Sequence, residues 1–155
     1  MEVNWFLLIG FIVACNLIGA VGAIWTSSEG NWYQNLNKPS FNPPSFVFGP
    51  VWTLLFCLMG IALYLVWVSP SSNIRTIALI LFGLQFVLNV LWSYLFFGIN
   101  NLSLALIEIF VLLIGILVTG IYFYFVSGLA GYLLIPYFVW VGFASFLNYS
   151  IWKLN

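Results

Sequence analysis

Three stripes of side chains at helical spacing carry most of the chemistry this chain offers. Gln85, Asn89 and Ser93 follow one another every four residues, with Trp92 three after Asn89. Trp140, Ala144 and Asn148 repeat that spacing, and Trp52, Phe56 and Met59 form a third stripe. Indole and phenyl rings beside a few amides, with space left at the small Ala144, suit a pocket for a flat apolar ligand. The same residues would serve equally as core filling and interhelical glue, because amides in an apolar bundle point inward and bond across helices. Spacing alone leaves both readings open.

Absences narrow the chemistry. The chain has no His and no Asp, which removes His-ligated haem, ordinary catalytic zinc, Ser-His-Asp triads and His-based proton shuttling. Cys15 and Cys57 lack a CxxC partner and read as small buried apolar residues. No metal site and no obligatory cofactor is expected. Glu108 is the one ionisable side chain at all deep in an apolar block. It reads either as a coupling carboxylate or as a polar group serving the membrane interface or helix packing. Proton and ion pathways usually need several such groups, so ion pumping is a poor fit.

The elements that must position these stripes follow from composition. Charged residues make up 4% of the chain and hydrophobic ones 65%, a balance that cannot cover a water-facing exterior. The chain therefore belongs in a lipid bilayer, and no nucleic-acid partner is expected. One helix needs roughly 20 apolar residues to cross, so about five crossings fit. Turn-forming residues at Thr26–Phe46, Ser69–Arg75, Asn100–Asn101 and Ser127–Gly131 divide the apolar blocks. Helices are expected near Asn4–Trp25, Val47–Trp67, Thr76–Gly98, Ser103–Val126 and Tyr132–Trp152, forming one domain over 1–155. The fold class is an all-α bundle of five transmembrane helices. A membrane barrel would alternate in polarity, which these blocks do not. No cleavable signal is evident, since Glu2 stands where a secretory leader would carry a cation. Arg75 falls on one side of the membrane and Lys38 and Lys153 on the other, which by one cation favours a cytosolic C-terminus.

Aromatic residues amount to 21% of the chain. Trp5, Trp25, Trp67 and Trp152 sit at expected helix ends, where indoles rest at the membrane interface. Trp52, Trp92 and Trp140 lie too far inside for that explanation. The first loop, 26–46, is long for a compact bundle, and such loops are commonly functional. Its prolines limit the entropy lost on ordering, so it reads as a lid over the bundle, with Pro50 opening the second helix. Cys15, Gly19 and Ala23 form a small-xxx-small ridge on the first helix that permits close helix approach, within the monomer or between monomers.

Several long blocks carry a resemblance. Trp32-Tyr33-Gln34-Asn35-Leu36-Asn37-Lys38-Pro39-Ser40-Phe41-Asn42-Pro43-Pro44, followed by Phe48-Gly49-Pro50-Val51-Trp52-Thr53-Leu54-Leu55-Phe56, resembles the first loop and second helix of the translocator protein family, also called tryptophan-rich sensory proteins. Leu88 to Phe97, around Asn89 and Trp92, and Pro136 to Asn148, around Trp140 and Ala144, match in the same order. The likeness spans nearly the whole chain. One departure is Phe41, where the family often has Trp.

The resemblance implies a five-helix protein, commonly a homodimer, with a pocket beneath the first loop. The implied ligands are porphyrins such as protoporphyrin IX, haem-like tetrapyrroles, sterols and benzodiazepine-type drugs. Carried over by position, the pocket comprises Tyr33 and Pro43 in the lid, Trp52 and Phe56, Asn89 and Trp92, and Trp140 and Ala144. A sensor or receptor, a transporter of tetrapyrroles or small lipophiles, and a light- and oxygen-dependent porphyrin degrader are the implied functions. In the last, Trp52 and Trp140 would be the catalytic indoles. Lys38 at the pocket mouth is placed either to meet a porphyrin propionate or to snorkel at the surface. Leu147, Tyr149 and Lys153 satisfy the loose pattern tied to cholesterol recognition in animal members. A porphyrin here would be metal-free, or haem held without strong axial ligation. The expected location is a bacterial cell membrane.

Overall fold

The computed structural model describes residues 2–28 and 30–155 and is helical throughout its spans. The helices are α1 (Trp5–Ser28), α2 (Trp32–Asn35), α3 (Ser45–Trp67), α4 (Asn73–Ser93), α5 (Leu102–Val126), α6 (Gly128–Leu133) and α7 (Ile135–Leu154). A π-helical turn, Tyr94–Gly98, extends α4. Five stretches are long and apolar enough to cross a membrane: α1, α3, α4 with its π turn, α5, and α6 with α7. The chain is a multi-pass integral membrane protein of five helices.

Local chemistry explains the boundaries. Ser72 caps α4 by accepting from the Arg75 backbone N–H at 3.1 Å, which starts the helix at Asn73 rather than at the expected Thr76. Arg75 reaches back to the end of α3, where its Nε and Nη2 donate to the carbonyls of Val66 and Trp67 at 3.2 and 2.6 Å. These carbonyls have no partner within their own helix, and a cation there completes it. At the other membrane face Asn100 takes a left-handed φ of 55°, which Asn tolerates better than most residues, and Asn101 then caps α5 through the Leu104 N–H at 2.9 Å. The fifth span starts at Gly128, earlier than the expected Tyr132, and breaks at Leu134. Pro136 lacks the N–H that an unbroken helix would use, so the chain restarts with proline in the first turn of α7. Pro50 lies inside α3, which begins at Ser45 two residues before the expected Val47.

Packing is dense at the membrane face that carries Arg75. Ala62, Val66, Ala78, Phe123 and Ala130 are all fully buried there. Helix α6 rests on α3 and α5, and a Cβ at Gly131 would lie 2.6 Å from Tyr124 Cβ and 2.7 Å from its Cα. Nearer mid-bundle, a Cβ at Gly60 would stand 2.6 Å from Ile12 Cα, so α1 and α3 meet backbone to backbone. Two members of the ridge on α1 pack within the chain: Cys15 is buried, and the ring of Phe56 fills the space a side chain at Gly19 would need, while Ala23 is exposed.

Toward the opposite face the helices part. Helix α7 packs mainly on α5, while α3 packs on α1 and α6. The first loop bridges the gap between α3 and α7.

Candidate functional site

A cavity of about 600 Å³ lies between the spans under the first loop. Seven of the residues expected at a pocket stand on its wall. They are Tyr33 from α2, Trp52 and Phe56 from α3, Asn89 and Trp92 from α4, and Trp140 and Ala144 from α7. Helical spacing brings each helical pair onto one inward face, while the opposite faces, with Leu54 on α3 and Val87 on α4, are exposed toward lipid. Trp52 stacks on Phe56 with ring centroids 5.4 Å apart, and Phe56 stacks on Phe86 at 5.8 Å. Trp140 meets Phe48 edge-on at 5.9 Å and Phe143 at 5.6 Å, which draws α3 and α7 together across the gap. These ring pairs hold flat surfaces in fixed orientation around the cavity, each contributing roughly 0.5–1.5 kcal/mol beyond area burial.

The polar groups of the wall are mostly taken. Trp92 Nε1 donates to Asn148 Oδ1 at 3.0 Å, and Asn148 Nδ2 donates to the Leu102 carbonyl at 3.4 Å. Asn89 Nδ2 donates to the Tyr137 hydroxyl at 2.9 Å, which donates to Gln85 Oε1 at 2.9 Å. The amides thus act as interhelical glue while also facing the cavity, so the two roles the spacing left open coexist. Trp140 differs. Its Nε1 is buried and has no acceptor among the described residues. A buried indole N–H without a partner is an uncompensated polar group, which folded structures seldom carry.

The lid is fastened on both sides. Trp32 and Tyr33 pack edge-on against Phe96 and Phe97 of the π turn at 5.7 and 5.6 Å. Phe41 stacks on Phe146 of α7 at 5.2 Å, so the phenyl that replaces the family's usual indole still anchors the lid. Asn155 then pairs with the backbone of Asn37, accepting from its N–H at 3.0 Å and donating to its carbonyl at 2.9 Å. Lys38 lies off the cavity wall. Its Nζ donates to the carbonyls of Gln34 and Leu36 at 3.2 and 3.4 Å and sits 4.6 Å over the Tyr33 ring. It is a tie within the lid, with two of its three donors engaged. Pro43 likewise belongs to the lid and not to the wall.

Other candidates separate. Leu147 lines the cavity, whereas Tyr149 and Lys153 are exposed on the outer face of α7, so the three do not converge. Glu108 faces the bundle interior rather than the interface, and both carboxylate oxygens are buried without a partner among the described residues. Its helix neighbours Ile109 and Leu112 line the cavity. Among the described residues no cluster of three or more His, Cys, Asp or Glu is placed to hold a metal.

The wall also includes Asn16, Ala20 and Thr26 of α1 and Phe96 and Phe97 of the π turn, which spacing did not single out, and Gly19 and Ala23, which it singled out only as a ridge for helix packing. Small residues on α1 were the available signal, since they leave neighbouring space open.

Five membrane-spanning helices around a roofed, aromatic-walled cavity define a class of integral membrane protein. The sequence pattern of the TspO/MBR family matches residues 11–153, and the chain belongs to that family. It is similar to the tryptophan-rich protein TspO of Archaeoglobus fulgidus, 42% identical over 153 residues that cover 98% of this chain and 99% of that one. The human translocator protein is 37% identical over 158 residues, covering 100% and 94% of the two chains. The tryptophan-rich sensory protein of Cereibacter sphaeroides is 35% identical over 155 residues, covering 100% and 95%.

Proposed function

We propose that this protein is a membrane receptor or sensor that binds protoporphyrin IX and haem-like tetrapyrroles, and benzodiazepine-type or sterol ligands, in the cavity beneath its lid. The observation that carries this reading is the cavity itself: about 600 Å³, walled by Trp52, Trp92 and Trp140 beneath the lid. A flat macrocycle would bury both faces against those rings. Propionates would remain at the mouth, where water can meet them. Relatives named for translocation and for sensing support a role in moving or detecting a ligand.

Transport is the second reading, favoured by the printed name of the human relative. Net flux of a tetrapyrrole into sealed vesicles, above that of protein-free vesicles, distinguishes it from binding alone. Light-driven porphyrin degradation would rest on the same indoles. A Trp52→Phe, Trp140→Phe variant that degrades protoporphyrin under illumination as fast as the parent rules it out. A homodimer and a cytosolic lid side, the latter from Lys38 and Lys153 against Arg75, complete the proposal.

The deciding experiment titrates purified protein with protoporphyrin IX in detergent and follows tryptophan quenching. Saturable binding that weakens tenfold or more in a Trp52→Phe, Asn89→Ala, Trp140→Phe variant is expected, about 1.4 kcal/mol. Equal affinity in parent and variant would place the porphyrin outside the cavity.

A further inference from the structure

The hydrogen-bond chain behind Asn89 has only one consistent polarity. Gln85 Nε2 donates to the Phe82 carbonyl at 3.0 Å. A backbone carbonyl can only accept, so the nitrogen end of the Gln85 amide is fixed there and Oε1 must face Tyr137. The Tyr137 hydroxyl, 2.9 Å from that oxygen, has a single proton and gives it to Gln85. Its lone pair is what remains for Asn89, 2.9 Å away, and only the amide nitrogen can use it. The orientation of Asn89 is therefore set from the Phe82 carbonyl, two side chains distant.

The consequence falls on the cavity. With Nδ2 held by Tyr137, Asn89 Oδ1 takes no hydrogen bond from any described residue, and it is not among the fully buried atoms that lack a partner. Asn89 lines the cavity, so this oxygen opens onto it as a fixed acceptor. Tyr137 is fully buried, and Gln85 is 2% exposed, so water does not offer either of them a substitute partner. Turning the amide over would set two acceptors, Gln85 Oε1 and Asn89 Oδ1, against one hydroxyl proton and lose a buried hydrogen bond. The neighbouring Trp92–Asn148 pair is closed on itself and does not compete.

We infer that Gln85 and Tyr137 act as positioning residues that make this cavity select flat lipophiles presenting a hydroxyl or N–H to Asn89, over analogues that present only an ether or carbonyl oxygen at the same point. This rests on the cavity being the ligand site and adds the donor–acceptor sense of that site. A ligand donor gains a hydrogen bond to Oδ1, while a lone pair placed there meets another lone pair and leaves the amide oxygen desolvated.

The test uses two fluorescent probes of one shape, 1-hydroxypyrene and 1-methoxypyrene, titrated into purified full-length protein in detergent and corrected with protein-free detergent. The parent should bind the hydroxyl probe about tenfold tighter. In Tyr137→Phe the amide is released and the preference should fall to within about twofold. Asn89→Leu leaves Gln85 and Tyr137 bonded to each other and should bring the ratio of the two affinities to within about twofold. That second variant keeps the test decisive if Tyr137→Phe does not fold. Saturable binding of both probes with no preference in the parent, or a preference that survives in Asn89→Leu, overturns the inference and leaves the cavity reading intact. Saturable binding of neither probe removes the cavity reading, and this inference with it.

Discussion

The two membrane faces of this bundle solve the same packing problem in opposite ways. At the Arg75 face small residues bring backbones into contact, with Gly131 against Tyr124 and Gly60 against Ile12 farther in, and Ala62, Ala78 and Ala130 are fully buried. At the lid face large rings stand apart around a cavity, and a loop takes over the bridging between α3 and α7. Lipid supplies no hydrophobic drive between helices, so the tight face depends on van der Waals fit, which small residues maximise. The lid face depends on ring edges and a few hydrogen bonds. The comparison separates what keeps the bundle together from what leaves a cavity open within it.

Substitutions should divide along that line. The largest effect is expected from Gly60→Val, whose side chain would press on the Ile12 backbone rather than on a movable ring. It should destabilise the protein by about 3 kcal/mol, read as a lowered thermal midpoint in detergent. Trp52→Phe with Trp140→Phe should leave that midpoint within a few degrees while weakening porphyrin binding about tenfold, roughly 1.4 kcal/mol. A collapse of stability in this double variant would break the division. Gly19→Ala sharpens it: the atoms nearest the new methyl all belong to the outer edge of the Phe56 ring, a side chain on the cavity wall and not backbone. Its stability cost should stay under about 1 kcal/mol, well below that of Gly60→Val, with a measurable change in ligand affinity. Asn155→Ala, which removes the exposed pair with Asn37, should cost about 0.5–1 kcal/mol and show mainly as faster amide exchange at Asn37.

Much of this architecture was legible because a bilayer tolerates so few errors. Charge-free blocks interrupted by Asn, Ser, Pro and Gly mark five spans, and amides that must avoid lipid mark the inward faces of α4 and α7. Six of the pocket residues, Trp52, Phe56, Asn89, Trp92, Trp140 and Ala144, lie on stripes legible from spacing, and Tyr33 came from the resemblance. Less legible was anything set by three-dimensional reach. Lys38 reads as a cation at the mouth, yet the chain reverses near Pro39 and brings Nζ back onto the carbonyls of Gln34 and Leu36. Helix α1 is apolar on every side, so its contribution to the cavity leaves almost no polar trace beyond Asn16. Spacing did not single out Tyr137, yet it is buried and bonds to Asn89 and Gln85. The inward turn of Glu108 is as hard to read, since one residue of helical phase separates lipid from core.

The pairing of Asn37 with Asn155 also gives the site a place in time. The two residues are 118 apart in the chain, which at ordinary rates of synthesis is on the order of 6–24 s. Helices α1, α3 and α4 can enter the membrane and pack during that interval, but the lid has no α7 to fasten to until that helix arrives. The cavity is thus roofed only once all five spans have been made, and a ligand that needs the roof would pass over a nascent chain still lacking α7.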